Sequence, residues 1–494
     1  MTGRVEVAIV GAGFAGIGMA LALQRAGRES FVVLERAASV GGTWRENVYP
    51  GVACDVPSHL YGFATHPHPH WSGLYARGDE IHRYLQDVAA GAGLGGRLRL
   101  STPLLQARWD AAAAAWQLDT PDGALTAETL VLACGRLTEP QIPEISGLET
   151  FPGPLFHSAR WDQDADLRGA RVAVVGTGAS AVQLVPELAR TAGHVTLFQR
   201  TPAWIVPRGA VAYSDADRAG FAADPAVLAA LRADLYAEGE ARFASRSGDP
   251  VAAADARAVA LAHLHAQVED PALRAALTPD YAFGCKRVLL SDAFYPAVAS
   301  TAVTLEPHAL TAVEGRTLVA ANGTRHEVDA VVLATGFAST RQPYADLVHG
   351  EAQTLADHWS TGMTSFASTV VAGFPNMFVL NGPNASLGHS SSVLMMEEQA
   401  SYVVRALAHG DQEGMPVRRV RPEAEQAYTD EIAVAAASTP WIAGGCHNWY
   451  VDERSGRLAL LWPGTVDAFR ARLAAADGAE FLSTPTPATL GGIP

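Results

Sequence analysis

Two glycine-rich loops set the chemistry open to this chain. The first reads Gly11-Ala12-Gly13-Phe14-Ala15-Gly16 and the second Gly176-Thr177-Gly178-Ala179-Ser180-Ala181. Small residues at the first, third and sixth places let a chain turn sharply, bring its backbone against a pyrophosphate, and pack a helix closely on a strand. The N–H groups of that helix's first turn then face the phosphates. Two such loops imply two dinucleotides. Glu35, at the end of the apolar run after the first loop, can accept hydrogen bonds from a ribose. The matching place after the second loop holds Gln199-Arg200, where a guanidinium can bind a 2′-phosphate that a carboxylate would repel. FAD is therefore expected at the first loop and NADP(H) at the second.

The elements that must carry these loops are legible around them. Val5–Val10 and Phe31–Leu34 read as buried parallel strands flanking a helical stretch from Ala15 to Ala26, and Arg171–Val175 and Val195–Phe198 repeat the pattern. Thr129–Gly135 and Asp329–Gly336 are each a short apolar strand ending in a small-residue turn, each expected to close one nucleotide-binding sheet. The alanine-rich run from Asp224 to Val268 reads as helices that shape substrate access. The fold class expected is α/β, with two Rossmann-like dinucleotide-binding domains and a helical insertion. Expected boundaries are 1–143 for the first part of the FAD domain, 144–210 for the linker and first part of the NADP domain, and 211–280 for the insertion. Residues 281–376 would complete the NADP domain and 377–494 the FAD domain.

Between the loops runs Phe151-Pro-Gly153-Pro-Leu-Phe-His157-Ser-Ala-Arg-Trp161-Asp162. Just after the first unit comes Gly41-Gly42-Thr43-Trp44, followed by Tyr49-Pro50-Gly51 and Asp55. These two patterns resemble the fingerprints of the type I Baeyer–Villiger monooxygenases, a branch of the class B flavoprotein monooxygenases. Every fixed place of both is filled, and the resemblance extends to Asn448-Trp449-Tyr450. The Trp161-Asp162 ending favours the ketone-oxidising branch over relatives that oxidise nitrogen and sulfur.

The resemblance implies an enzyme in which NADPH reduces FAD, O2 adds to form a C4a-peroxyflavin, and one oxygen is inserted beside a ketone carbonyl to give an ester or lactone, with sulfoxidation as a side activity. It implies that Arg287, in Lys286-Arg287, is catalytic, that Asp55 pairs with it, and that Lys286 joins Arg200 at the 2′-phosphate. Thr43, Trp44 and Tyr61 would pack along the flavin and Trp449 near the nicotinamide. His157 would organise a hinge rather than transfer protons. Many relatives carry arginine where this chain has Ala53, which puts that contact to NADP in doubt. The runs Asn381–Ser390 and Gly456–Gly464 look more like the hydroxyacetophenone-type branch, which points to an aryl or linear ketone. Two alternatives stay open: a nitrogen- or sulfur-oxidising flavin monooxygenase, and a flavoprotein oxidase or redox sensor that needs neither Arg287 nor Asp55.

The remaining features are plainer. The chain has 494 residues and a formal net charge of −15, which argues against a nucleic-acid partner. No apolar run reaches the roughly 18 residues of a bilayer span, and the first strand begins too early for a signal peptide. The four cysteines are scattered with no C-x-x-C, so neither a dithiol centre nor a zinc site is expected, and a reducing, cytoplasmic setting fits. His66-Pro-His-Pro-His70 lacks a partner cluster, and no metal is expected there. The Thr484-Pro-Thr-Pro stretch and the Gly-Gly-Ile-Pro end read as a loose tail. Monomer and dimer are both compatible with the sequence.

Overall fold

The structure is a computed structural model that describes residues 3–482; the tail from Thr484 lies outside them. The first sheet is built around the strand Gly3–Val10, whose last four residues are buried on both faces. Phe31–Leu34 pairs with it in parallel on one side and Gly123–Leu132 on the other. An antiparallel meander, Gln106–Asp110 and Ala115–Thr120, extends the sheet beyond Gly123–Leu132. The short strand Met377–Val379 returns from far along the chain to pair with Leu130–Leu132.

The second sheet has five strands, all parallel, in the order Val303–Glu306, His194–Phe198, Arg171–Val175, Ala330–Leu333 and Leu155–His157. The same joint recurs in both sheets. Gly11 has φ +106° and Gly176 has φ +115°, and a Cβ would fall 2.5 Å from the Ala133 carbonyl oxygen in the first case and 2.4 Å from that of Ala334 in the second. Each loop therefore needs glycine twice over, for its left-handed backbone and for contact with the end of the neighbouring strand. The two strands expected to close the sheets, before Gly135 and Gly336, lie directly beside the glycine-loop strands.

The Phe151–Asp162 stretch is not a free spacer. Leu155–His157 pairs with Val331–Leu333 as an edge strand of the second sheet, and a Cβ on Gly153 would sit 2.2 Å from the Asp329 carbonyl oxygen. Trp161 packs edge-on against Phe156 at 5.0 Å. The two segments that cross between the sheets run side by side. Gln141 N–H donates to the Gly336 carbonyl at 2.8 Å and Ala338 N–H to that of Glu139 at 3.0 Å.

Helices fill the region between Asp215 and Leu277. Three of them, Pro225–Ala241, Pro250–Gln267 and Pro271–Leu277, start with an Asp-Pro pair in which the aspartate side chain accepts from a first-turn N–H. Proline costs nothing at a position whose N–H has no partner in the helix. A small antiparallel sheet, Leu310–Glu314, Thr317–Ala320 and Arg325–Glu327, and the meander at 106–120 were not foreseen; their short alternating runs are rich in alanine and threonine and carry little hydrophobic signal.

Cys285 and Cys446, 161 positions apart, form a disulfide, whereas Cys54 and Cys134 are free. Scattered spacing gave no hint of the pair because pairing depends on where the fold returns the chain. The bond ties the segment carrying Lys286-Arg287 to the segment carrying Trp449-Tyr450.

Candidate active site

Both glycine loops fit a nucleotide pyrophosphate. The helices that follow them, Phe14–Arg25 and Ala179–Thr191, have no side-chain cap, unlike the three aspartate-capped helices above. Their first-turn N–H groups are left for a ligand. Gly178 and Ala179 are exposed, and a Cβ on Gly178 would meet nothing within 4 Å, so the cradle is open on its phosphate side. The Thr177 hydroxyl donates to the Thr201 carbonyl at 2.7 Å and steadies that loop. Ser180 stands beside Tyr49, and Ala181, in the first turn of the helix, is fully buried.

Glu35 is buried and holds the first loop from behind. Its carboxylate accepts from the Ala12 and Ala37 N–H groups, each at 2.9 Å, and lies 3.2 Å from Arg45. Oε2, which accepts only from Ala12, keeps a further lone pair that can receive a ribose hydroxyl. Gln199 is turned inward, donating to the Ala276 carbonyl at 2.7 Å. Arg200 is exposed and lines a cavity of about 390 Å³ with Lys286, Tyr281 and Cys446 among others. Lys286 lies 5.1 Å from the centre of the Tyr281 ring. Burial, and then the charge of Arg200, push its pKa down, as is expected where two cations await an anion.

Near the Thr43–Glu46 helical turn, Thr43 is exposed and Trp44 buried. The Trp44 indole N–H donates to the Tyr61 hydroxyl at 3.3 Å, and Phe14 meets the Tyr61 ring edge-on at 5.0 Å. These rings adjoin Asp55, where the two nucleotide units meet. Arg287 grips Asp55 with two hydrogen bonds, Nε to Oδ2 at 2.8 Å and Nη2 to Oδ1 at 2.7 Å. Burial works against the Asp55 carboxylate, but the charge and hydrogen bonds of Arg287 outweigh it and lower its pKa. Arg287 is correspondingly raised, chiefly by Asp55.

Three more residues complete this junction, of which the sequence reading touched only Tyr450, as part of the Asn448–Tyr450 run. Gln183, on the helix after the second loop, accepts from the Tyr49 hydroxyl at 2.9 Å and donates to the Ala53 carbonyl at 2.9 Å. The fold thus uses the backbone of Ala53, whatever its side chain. Arg208 donates to the Cys54 carbonyl at 3.1 Å, and its charge also reaches Asp55. Tyr450 is buried and feels the charge of Arg287. Trp449 itself is turned toward Tyr450, ring centres 4.4 Å apart, and its carbonyl accepts from Ser339.

His157 is buried, its Nδ1 accepting from the Ala159 N–H at 3.1 Å, and burial lowers its pKa to about 4. Among the described residues no group of three His, Cys, Asp or Glu side chains is placed to hold a metal ion, and His68 packs against Trp71 at 4.6 Å. No helix among them is long and apolar enough to cross a membrane.

Residues 8–214 match the pyridine nucleotide-disulphide oxidoreductase family. The chain is 44% identical over 491 residues to a Baeyer–Villiger monooxygenase of Streptomyces coelicolor, covering 99% of this chain and 94% of that one. It is 40% identical over 484 residues to a Baeyer–Villiger monooxygenase of Pseudomonas aeruginosa, covering 98% and 92%. The crystal structure of cyclohexanone monooxygenase from Rhodococcus sp. Phi1 bound to NADP+ superposes with a TM-score of 0.87 at 25% identity, covering 98% of this chain and 99% of that one. With likeness of this degree running from end to end, the chain belongs to the Baeyer–Villiger monooxygenase family.

Proposed function

We propose that the protein is an NADPH- and FAD-dependent monooxygenase that inserts one atom of O2 beside a ketone carbonyl and releases an ester or lactone. The second oxygen atom leaves as water, with two electrons from NADPH and one further proton. Reduced FAD, when bound, supplies the activation of O2. FAD would lie along the first loop, Glu35 and the Thr43, Trp44 and Tyr61 surface, within residues 1–143 and 377–494. NADPH would lie along the second loop, with its 2′-phosphate at Arg200 and Lys286, within residues 144–210 and 281–376. The helices of 211–280 would border the substrate.

The Arg287–Asp55 pair carries this reading. A guanidinium has five N–H donors; two go to Asp55, leaving three (5 − 2 = 3) for a reacting oxygen. Its charge persists at every working pH, so it can stabilise negative charge without surrendering a proton to it. Asp55 fixes the plane of the guanidinium, and Arg208 holds the backbone beside Asp55. A positioned cation next to the flavin-facing rings is what oxygen insertion needs, and what a simple oxidase does not.

The test is a mass-spectrometric screen of a ketone and sulfide panel with NADPH. Esters or lactones are expected from ketones, and Arg287→Ala should keep its FAD yet form none. Products from sulfides alone, or full activity in Arg287→Ala, overturn the reading.

A further inference from the structure

Two guanidiniums near Arg287, that of Arg136 buried and that of Arg246 half-buried, have no carboxylate to answer them. Arg136, just beyond the strand that ends at Leu132, is 9% exposed. Its Nη1 and Nη2 donate to the neutral oxygens of Asn381 and Ser386, and its Nε is sealed from solvent without a partner. Arg246 lies in the short helix Phe243–Ser247 of the insertion, 4.8 Å from the centre of the Phe283 ring. Its Nε and Nη1 are likewise sealed and unpartnered. Burial, with Arg287 and, for Arg246, Arg242 adding like charge, lowers each to about 10, so both remain cations at neutral pH.

The three arginines share one neighbour. The charges of Arg287, Arg136 and Arg246 all act on Tyr450, and Asp55 is the carboxylate that acts there with them. The chain geometry brings them to that corner: Arg246 packs on Phe283, in the segment that carries Arg287, and Arg136 binds Ser386, whose N–H donates to the Leu460 carbonyl at 3.1 Å while the Leu460 N–H donates to the Tyr450 carbonyl at 3.2 Å. Unpaired buried charge is costly, and a protein that keeps it has a ligand to match. The nucleotide phosphates have their own receptors at the two glycine loops and at Arg200 and Lys286. The flavin and nicotinamide rings bear no carboxylate or phosphate, so the anionic ligand left for this place is the substrate.

We propose that the substrate is a ketone bearing a carboxylate, an oxo-acid, whose carboxylate is received by Arg246 and Arg136 while its carbonyl faces Arg287. This rests on the Baeyer–Villiger reading of the site. The carboxylate takes no part in bond making or breaking; it anchors and orients. Arg246 suits the task because a guanidinium packed on an aromatic ring is held in one plane and tolerates an apolar substrate body beside it. Placing it on the insertion would make substrate charge a property of that segment rather than of the nucleotide-binding sheets.

The test compares keto-benzoic and linear oxo-acids with their methyl esters on the FAD-loaded enzyme, following NADPH consumption and product mass. The acids should be preferred at least tenfold in kcat/KM, with the gain in KM. Arg246→Met should cut that acid-to-ester ratio at least tenfold, and Arg136→Gln should cut it in the same direction. In the unaltered enzyme benzoate should compete with a neutral ketone and not with NADPH, a measurement that stands even if a variant fails to fold. Oxygenated product with no acid preference, or no competition by benzoate, overturns this inference alone. Product from neutral ketones but none from the oxo-acids also overturns this inference alone, whereas no oxygenated product from any ketone overturns the parent reading.

Discussion

Arg287 and Asp55 lie 232 positions apart and meet in a two-point ion pair at 2.7 and 2.8 Å. The pair joins the segment after the helical insertion to the loop after the first nucleotide unit, so one contact both orients a cation and locks two halves of a site. Asp55→Asn keeps the shape and removes the charge. A hydrogen bond to a charged group contributes about 1.5–3 kcal/mol, so kcat on the best ketone should fall roughly ten- to hundredfold with FAD content intact. Arg287→Lys should rescue little, because an ammonium cannot make both contacts in one plane. Near-normal turnover in Asp55→Asn would show that Arg287 needs no such anchor.

Arg200 and Lys286 border one cavity and should set the preference for NADPH over NADH. Replacing either by alanine is expected to raise KM for NADPH about ten- to hundredfold, the value of one charged hydrogen bond to phosphate, and to leave KM for NADH within about twofold. Steady-state kinetics with both nucleotides reads this directly. An equal loss with NADH would move the 2′-phosphate elsewhere.

His157 should make stability depend on pH. Burial holds it at about 4 in the folded protein against 6.5 in the unfolded chain. A depressed histidine stabilises the fold fully above the unfolded value, and that stability is lost as pH falls from about 6.5 through about 4, to a limit of roughly 3 kcal/mol. His59 is depressed in the same direction, so the informative quantity is the difference between variant and parent. His157→Asn retains an acceptor for the Ala159 N–H and should flatten part of the slope. Urea unfolding at a series of pH values between 4.5 and 7 measures it; identical slopes would mean that His157 is solvated.

The Cys285–Cys446 bond closes a loop spanning 161 positions. Restricting the unfolded chain over a loop of that length stabilises a fold by as much as about 5 kcal/mol on the chain-entropy model. Unfolding in the presence of a dithiol reductant, or of the Cys446→Ser variant without it, should occur at lower urea by an amount equal to about 2–5 kcal/mol. Coincident unfolding curves with and without reductant would show that the bond contributes nothing.

What could be read from sequence follows from what local sterics can encode. Gly11 and Gly176 announce themselves because no other residue fits both the turn and the touching carbonyl. The helices of the insertion announce themselves through the alanine-rich run from Asp224 to Val268. Lys286 and Arg287 are different, since an isolated basic pair looks like any solvated surface and only the family pattern marked it. Arg136 and Arg246 carried no mark at all. Their character lies in the absence of a neighbouring carboxylate, which is a property of the folded arrangement. The same holds for Gln183, an ordinary helix residue until Tyr49 and Ala53 are brought to it, and for the cysteine pair.

The paired crossing segments at 139–141 and 336–338 and the Cys285–Cys446 bond together define how this molecule can open. Two straps lying side by side act as a hinge pin, and the sulfur bridge adds a third fastening that keeps Arg287 abreast of Tyr450. The seam between Gly51 and the helix bearing Gln183 is held more lightly, by packing and by the hydrogen bonds of Gln183 and Ser180 to the Tyr49–Ala53 segment. Nucleotide exchange should therefore unzip the molecule along that seam while the corner that handles the substrate stays shut.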